Sequence, residues 1–209
     1  MKVEAKTGRL NKVHVSVDGE YRFTVDSEYW YSSKWRSVTE IEDEKVQEEF
    51  LKDIGSRYAF ISGLRILSYG DNSRKGLRIK LVTKGNLPEY TENALDLLEK
   101  YGYINDRRFA AYYSEKLRQS KGMSKKGIRR ELLIKGIDSE TADEVLEGME
   151  FDSVEDITAL LESKYSRYLG DEKGLKKTVS ALQRLGYNWA DIKSALARVN
   201  ELKEDDFCD

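Results

Sequence analysis

The 209-residue chain has one proline, one cysteine and one histidine. So little proline excludes collagen-like and proline-rich linker architectures and leaves long helices open. The lone Cys208 cannot form an internal disulfide and suits a reducing compartment. With a single His beside it, no Cys/His zinc cluster can be assembled. No uncharged apolar run approaches the ~20 residues a membrane crossing needs, and the opening MKVEAKTGRLNK lacks the apolar core of a secretory signal. The expected setting is therefore cytoplasmic. Catalytic signatures are missing too: there is no Walker A loop, GxGxxG or HExxH. A Ser–His or Cys–His nucleophile would need His14, which falls in a predicted strand and reads as an edge or surface residue. The acidic clusters Glu40–Glu44 and Asp152–Asp156 read as helix N-terminal charge. These readings point to no metal, no cofactor and no enzyme.

What is present is charge. Charged residues make up 35% of the chain and apolar ones 39%, so the core is thin and an elongated or multi-lobed shape is expected. The opening segment reads as a β-hairpin. Val13, Val15 and Val17 alternate with polar residues, Asp18-Gly19 supplies the turn, and Tyr21, Phe23 and Val25 alternate again. Tyr29, Trp30, Tyr31 and Trp35 are candidates to cover its apolar face. From Thr39 the period becomes helical: Thr39 and Glu42 have capping-box spacing, and Ile41, Val46, Phe50 and Ile54 fall on one side.

Beyond that point the sequence repeats. Gly85, Gly136 and Gly186 stand 51 and 50 residues apart. Twelve residues before each is a candidate N-cap, Ser73, Ser124 or Gly174, followed by basic residues. Leu81, Leu132 and Leu182 precede the glycines by four residues; Leu77, Ile128 and Thr178 precede them by eight. Each segment between cap and glycine predicts an amphipathic helix closed by a left-handed glycine. After the glycines, Thr91/Ala94/Leu95/Leu98, Ala142/Val145/Leu146/Met149 and Ile192/Ala195/Leu196/Val199 repeat helical spacing. The expected fold is mainly α: an N-terminal β-hairpin plus helix, then three tandem three-helix repeats in an elongated array. The expected boundaries are 1–45 for the hairpin and leader, 46–100, 101–150 and 151–200 for the repeats, and 201–209 for an acidic tail.

The repeat also sorts the charge. The formal net of −2 averages blocks of −3 over 1–53, +6 over 54–86, −3 over 87–100, +7 over 101–136, −10 over 137–163, +5 over 164–200 and −4 over 201–209. On the middle basic helix, Lys125–Arg129 and Lys126–Arg130 form two adjacent i, i+4 columns, while Ile128 and Leu132 point to the bundle. Such a cluster at a helix start can grip phosphate or meet an acidic protein surface. Candidate partner- or DNA-binding residues are Arg107, Arg108, Lys116, Lys121, Lys125, Lys126, Arg129, Arg130 and Lys135 in the middle repeat. Arg74 and Lys75 in the first and Lys176 and Lys177 in the third complete the set. Phe109 and Ala110 read as core; Tyr101, Tyr103, Tyr112 and Tyr113 interleave with this charge.

Gly102-Tyr103-Ile104-Asn105-Asp106-x-x-Phe109-Ala110, then Lys121-Gly122, then Ile128-x-x-Glu131-Leu132-x-x-Lys135-Gly136-Ile137 resembles the RecX family of bacterial recombination regulators. Leu182-x-x-Leu185-Gly186-Tyr187 with Ile192 and Leu196 is similar to that family's C-terminal repeat. In the first repeat Lys80 stands where the pattern favours Glu, and Ser68-Tyr69-Gly70-Asp71 replaces a more basic stretch. The resemblance implies tandem three-helix repeats and a monomeric regulator that binds the RecA filament, with its single- or double-stranded DNA. It further implies restraint of strand exchange, ATP hydrolysis and coprotease activity. Read from the residues alone, two alternatives stay open: a helix-turn-helix-like nucleic-acid-binding protein acting without RecA, and an adaptor for an acidic partner.

Overall fold

The computed structural model describes residues 1–205. Cys208 and the end of the acidic tail lie outside them. The chain divides into two compact units, 1–105 and 106–209.

Unit 1 opens with a three-stranded antiparallel sheet, β1 (Val3–Thr7), β2 (Lys12–Val17) and β3 (Glu20–Asp26), in the order β1-β2-β3. The expected hairpin is β2–β3, with Asp18 and Gly19 both at positive φ as its turn requires. The added strand β1 buries only Val3, so its sequence VEAKT carries no clear alternation. It makes β2 the central strand. His14 is therefore not at an edge but on the exposed face, bonded to Thr24 at 2.8 Å.

Val13, Val15, Val17 and Val25 form the sheet's buried face under Trp30 and Trp35, while Tyr31 stays exposed. Trp30 sits on α1 (Ser27–Ser32), capped by Asp26. Asp26 also binds Arg57 at 2.7 Å; burial pushes its carboxyl up, but Arg57 and the Tyr29 N–H hold it below the usual range. The next helix does not start at Thr39. Residues 39–41 continue the sheet edge, with the Thr39 carbonyl accepting from Val3 N–H, and α2 (Glu44–Leu67) is capped by Asp43. With that start Val46 turns outward, while Phe50 and Ile54 pack under the sheet.

The second half of α2 packs with α3 (Arg74–Thr83) and α4 (Pro88–Lys100) around Leu77, Leu81, Leu95 and Leu98. Unit 2 holds α5 (Asp106–Lys121), α6 (Lys125–Ile134) and α7 (Ser139–Glu147), then α8 (Ser153–Ser163), α9 (Glu172–Arg184) and α10 (Trp189–Asp205). Gly85, Gly136 and Gly186 all take positive φ, ending α3, α6 and α9 as the repeat demands. Ser73 and Ser124 are the N-caps of α3 and α6. In the third repeat the cap is Asp171 rather than Gly174; Asp171 accepts from the Gly174 N–H, so α9 starts one turn early.

Thr178 occupies the buried place of Leu77 and Ile128, yet its hydroxyl has no hydrogen-bond partner among the described residues. Thr178→Val should raise stability by about 1 kcal/mol, read as a higher urea midpoint at constant slope. For the Asp26–Arg57 pair, a lowered native carboxyl stabilises above the unfolded pKa near ~4 and is lost as pH falls through the native value. Asp26→Asn keeps a capping side chain. Its stability deficit should be greatest at neutral pH and shrink below about pH 4.

Candidate partner-binding surface

The basic helices of the repeat differ in what their charge meets. On α3, Arg74 reaches Glu92, Asp96 and Glu99 of α4 at 3.2, 2.6 and 2.8 Å, and Arg78 also pairs with Glu92. Burial works against the Arg74 charge, but the three carboxylates outweigh it and push its pKa up. Arg74 thus clamps α3 to α4, and exposed Lys75 is left without a carboxylate among the described residues.

On α6 the two columns part. Arg129 makes a bidentate contact to Asp143 of α7, at 2.6 and 2.9 Å, and its guanidinium holds that carboxyl below the usual range. Lys125 shares this side and adds to the field at Asp143. The other column, Lys126 and Arg130, faces away from α7 toward α9. Arg130 donates to the Arg184 carbonyl at 2.9 Å, and a recess of about 400 Å³ is lined by Lys126, Arg129, Arg130, Leu133, Gln183 and Tyr187.

This adjacency rests on backbone contact. Ser124 donates from both its N–H (3.1 Å) and its hydroxyl (3.2 Å) to the Leu185 carbonyl. A Cβ on Gly127 would lie 2.1 Å from that oxygen, and one on Gly186 would lie 2.5 Å from Gly127 N. Neither position has room for a side chain, so the first turn of α6 sits directly on the α9–α10 turn.

From there the charge continues along α9. Lys173, Lys177, Ser180 and Arg184 follow i, i+4, i+7 and i+11, one face of the helix, and line an open concavity of about 590 Å³. No carboxylate lies within 4 Å of Lys173, Lys177 or Arg184 among the described residues; Lys176 pairs with Glu172 at 2.5 Å. Lys126, Arg130, Arg184, Lys177 and Lys173 therefore form one basic stripe across two three-helix groups.

The remaining candidates scatter. Arg107 pairs with Glu144 at 2.6 Å, Lys135 lies over the Tyr113 ring, and Arg108 is exposed. Lys116 and Lys121 are exposed and meet no carboxylate among the described residues. Phe109 and Ala110 are core, with Phe109 stacked on Tyr113. Tyr101 and Tyr103 lie edge-on to Phe60, and Tyr112 is exposed. Lys173 and Arg184 are absent from the sequence-based set, although their spacing along α9 is visible once the helix is known to start at Glu172.

A family model described as RecX, second three-helix domain, matches residues 105–146. Across 99% of its length the chain is 27% identical to the regulatory protein RecX of Clostridium beijerinckii, covering 98% of that protein. It is 29% identical to the RecX of Caldanaerobacter subterraneus subsp. tengcongensis, over 91% of this chain and 95% of the other. A crystal structure of a regulatory protein RecX shares the fold with a TM-score of 0.66 at 22% identity, over 94% of this chain and 98% of its own. The RecX of Lactobacillus salivarius gives 0.57 at 23% identity, over 70% and 97%. The chain resembles RecX proteins along nearly its whole length. These are regulatory proteins, and the matched RecX domain contains α6 and most of α7 with the Arg129–Asp143 pair.

The Gly127–Gly186 contact yields a prediction. Ala in place of a helical Gly ordinarily adds up to about 1 kcal/mol. Here Gly127→Ala should instead cost about 2 kcal/mol or more, because backbone must shift to admit the methyl. Urea unfolding checks the sign.

Proposed function

We propose that this protein binds the RecA–DNA nucleoprotein filament and restrains RecA's ATP hydrolysis, strand exchange and coprotease activities. It does so as a cytoplasmic monomer, by occupancy and without catalysing a reaction. The resemblance to RecX proteins supports the regulatory role, and one observation carries the mode of binding: the stripe of Lys126, Arg130, Arg184, Lys177 and Lys173, whose charge meets no carboxylate among the described residues. Cations left over after internal pairing are those available to a polyanion. The filament offers one, because DNA phosphates in it are closely spaced and their counterions are released on contact. Along α9 the stripe has no large exposed apolar residue, which suits phosphate better than a protein surface with an apolar centre.

The test is titration of the purified protein into ATP-loaded RecA on single-stranded DNA, following ATP hydrolysis and strand exchange. Inhibition is expected at stoichiometric amounts or below; no effect there overturns the proposal. Reversing Lys126, Arg130, Lys177 and Arg184 to Glu should raise the half-inhibitory concentration about ten-fold or more and flatten its salt dependence, with helical circular dichroism unchanged. Equal tight binding to naked duplex without RecA would favour a free-standing DNA-binding protein instead.

A further inference from the structure

Unit 1 carries a second basic surface of different chemistry. The end of α2 and the outer side of α3 border an open groove of about 740 Å³ with no acidic residue in its lining. Its rims hold Arg65 from α2, Lys80 from α3 and, four residues on, Lys84 at the C-cap of α3. Between them run Ile66, Tyr69 and Ile79.

The charge here is a remainder. Seven basic residues fall in 54–86. Arg57 is taken by Asp26, and Arg74 and Arg78 by the carboxylates of α4. Those pairs use one side of α3; Lys80 and Lys84 lie on the other. Lys80 bonds the neutral Asn72 amide, while Arg65 and Lys84 meet no carboxylate among the described residues. The apolar strip is likewise uncovered: Ile79 is 54% and Tyr69 83% exposed. Large apolar side chains held in water between cations on two walls mark a surface that gains by being covered.

We propose that this groove docks an acidic peptide segment of a protein partner, an aromatic or branched aliphatic anchor seated on Ile79 and Tyr69 with flanking carboxylates on Arg65, Lys80 and Lys84. The charge balance fixes the sign of the occupant. The aliphatic Ile66 and Ile79 between these cations, beside Tyr58 and Tyr69, call for an apolar side chain flanked by carboxylates, which a peptide supplies and a sugar–phosphate strand does not; the face of α9 carries charge without a large exposed apolar residue. The inference stands apart from the RecA reading: it concerns other residues, and a partner of this chemistry can be sought without RecA.

The experiment is selection of a phage-displayed random peptide library on the full-length protein, with the Ile79→Asp/Lys84→Glu variant as counter-target. Enriched peptides should carry a net negative charge around one aromatic or leucine residue. A fluorescent synthetic copy of the best peptide should lose about ten-fold or more in affinity with Ile79→Asp, and again with Lys80→Glu/Lys84→Glu. Lys126→Glu/Arg130→Glu should leave it unchanged. These side chains are exposed, and retained helical circular dichroism separates lost binding from lost fold. No enrichment above background, enrichment of neutral or basic peptides, or equal binding by the groove variants overturns the proposal. So does displacement of the peptide by a 15-residue oligothymidylate when the Lys126/Arg130 variant is used, which would assign the groove to nucleic acid.

Discussion

Everything proposed for unit 2 depends on two glycines, one on α6 and one at the α9–α10 turn, being close enough to touch. A Cβ at Gly127 or Gly186 would fall inside van der Waals distance of the opposite backbone. With neither present, the Leu185 carbonyl accepts from the N–H and hydroxyl of Ser124, and Leu185 itself packs against the cores of both three-helix groups. Two small bundles that would each bury a thin core share one seam. That seam also sets function, because it lays the Lys126–Arg130 column beside the basic face of α9.

A second constraint then decides which cations are available. The third helix of the first two repeats is acidic, and its carboxylates point back at the basic helix before it: Glu92, Asp96 and Glu99 to Arg74, Asp143 to Arg129. Exposed pairs of this kind add at most about 1 kcal/mol each. Their larger effect is to neutralise one side of each helix and leave the other side charged. In α10 no such partner faces α9, so Lys173, Lys177 and Arg184 stay unmatched among the described residues. The opposed charge blocks are therefore partly answered within the fold: Asp143, Glu144, Glu155 and Asp156 of the acidic block each pair with an arginine.

Much of the fold was legible because its signals are local. Glycines fifty residues apart, serine caps and leucines at fixed offsets each state a backbone requirement that no distant contact overrides. Legibility failed where the local signal was weak or duplicated. VEAKT buries one residue and so shows no alternation, although it forms β1. Thr39 and Glu42 have the spacing of a cap, but the strand edge claims residues 39–41 first and Asp43 takes the role. Gly174 stands in the cap position by repeat register, while Asp171 is the better acceptor and is within reach.

The sequence by itself determined that three glycine-stopped helices recur, which residues face each core, and that charge is laid out in blocks of opposite sign. These follow from periodicity and from the φ that only glycine adopts cheaply. It also carried the resemblance to a regulator family. Only the tertiary structure decided which arginines are spent on internal clamps, since Arg129 and Arg130 are adjacent in sequence and differ only in the helix each one faces. The same holds for Lys173 and Lys177, which meet no carboxylate among the described residues while Lys176 beside them is paired with Glu172. A side chain's type is written in the chain; whether its charge is already answered is a matter of what packs beside it.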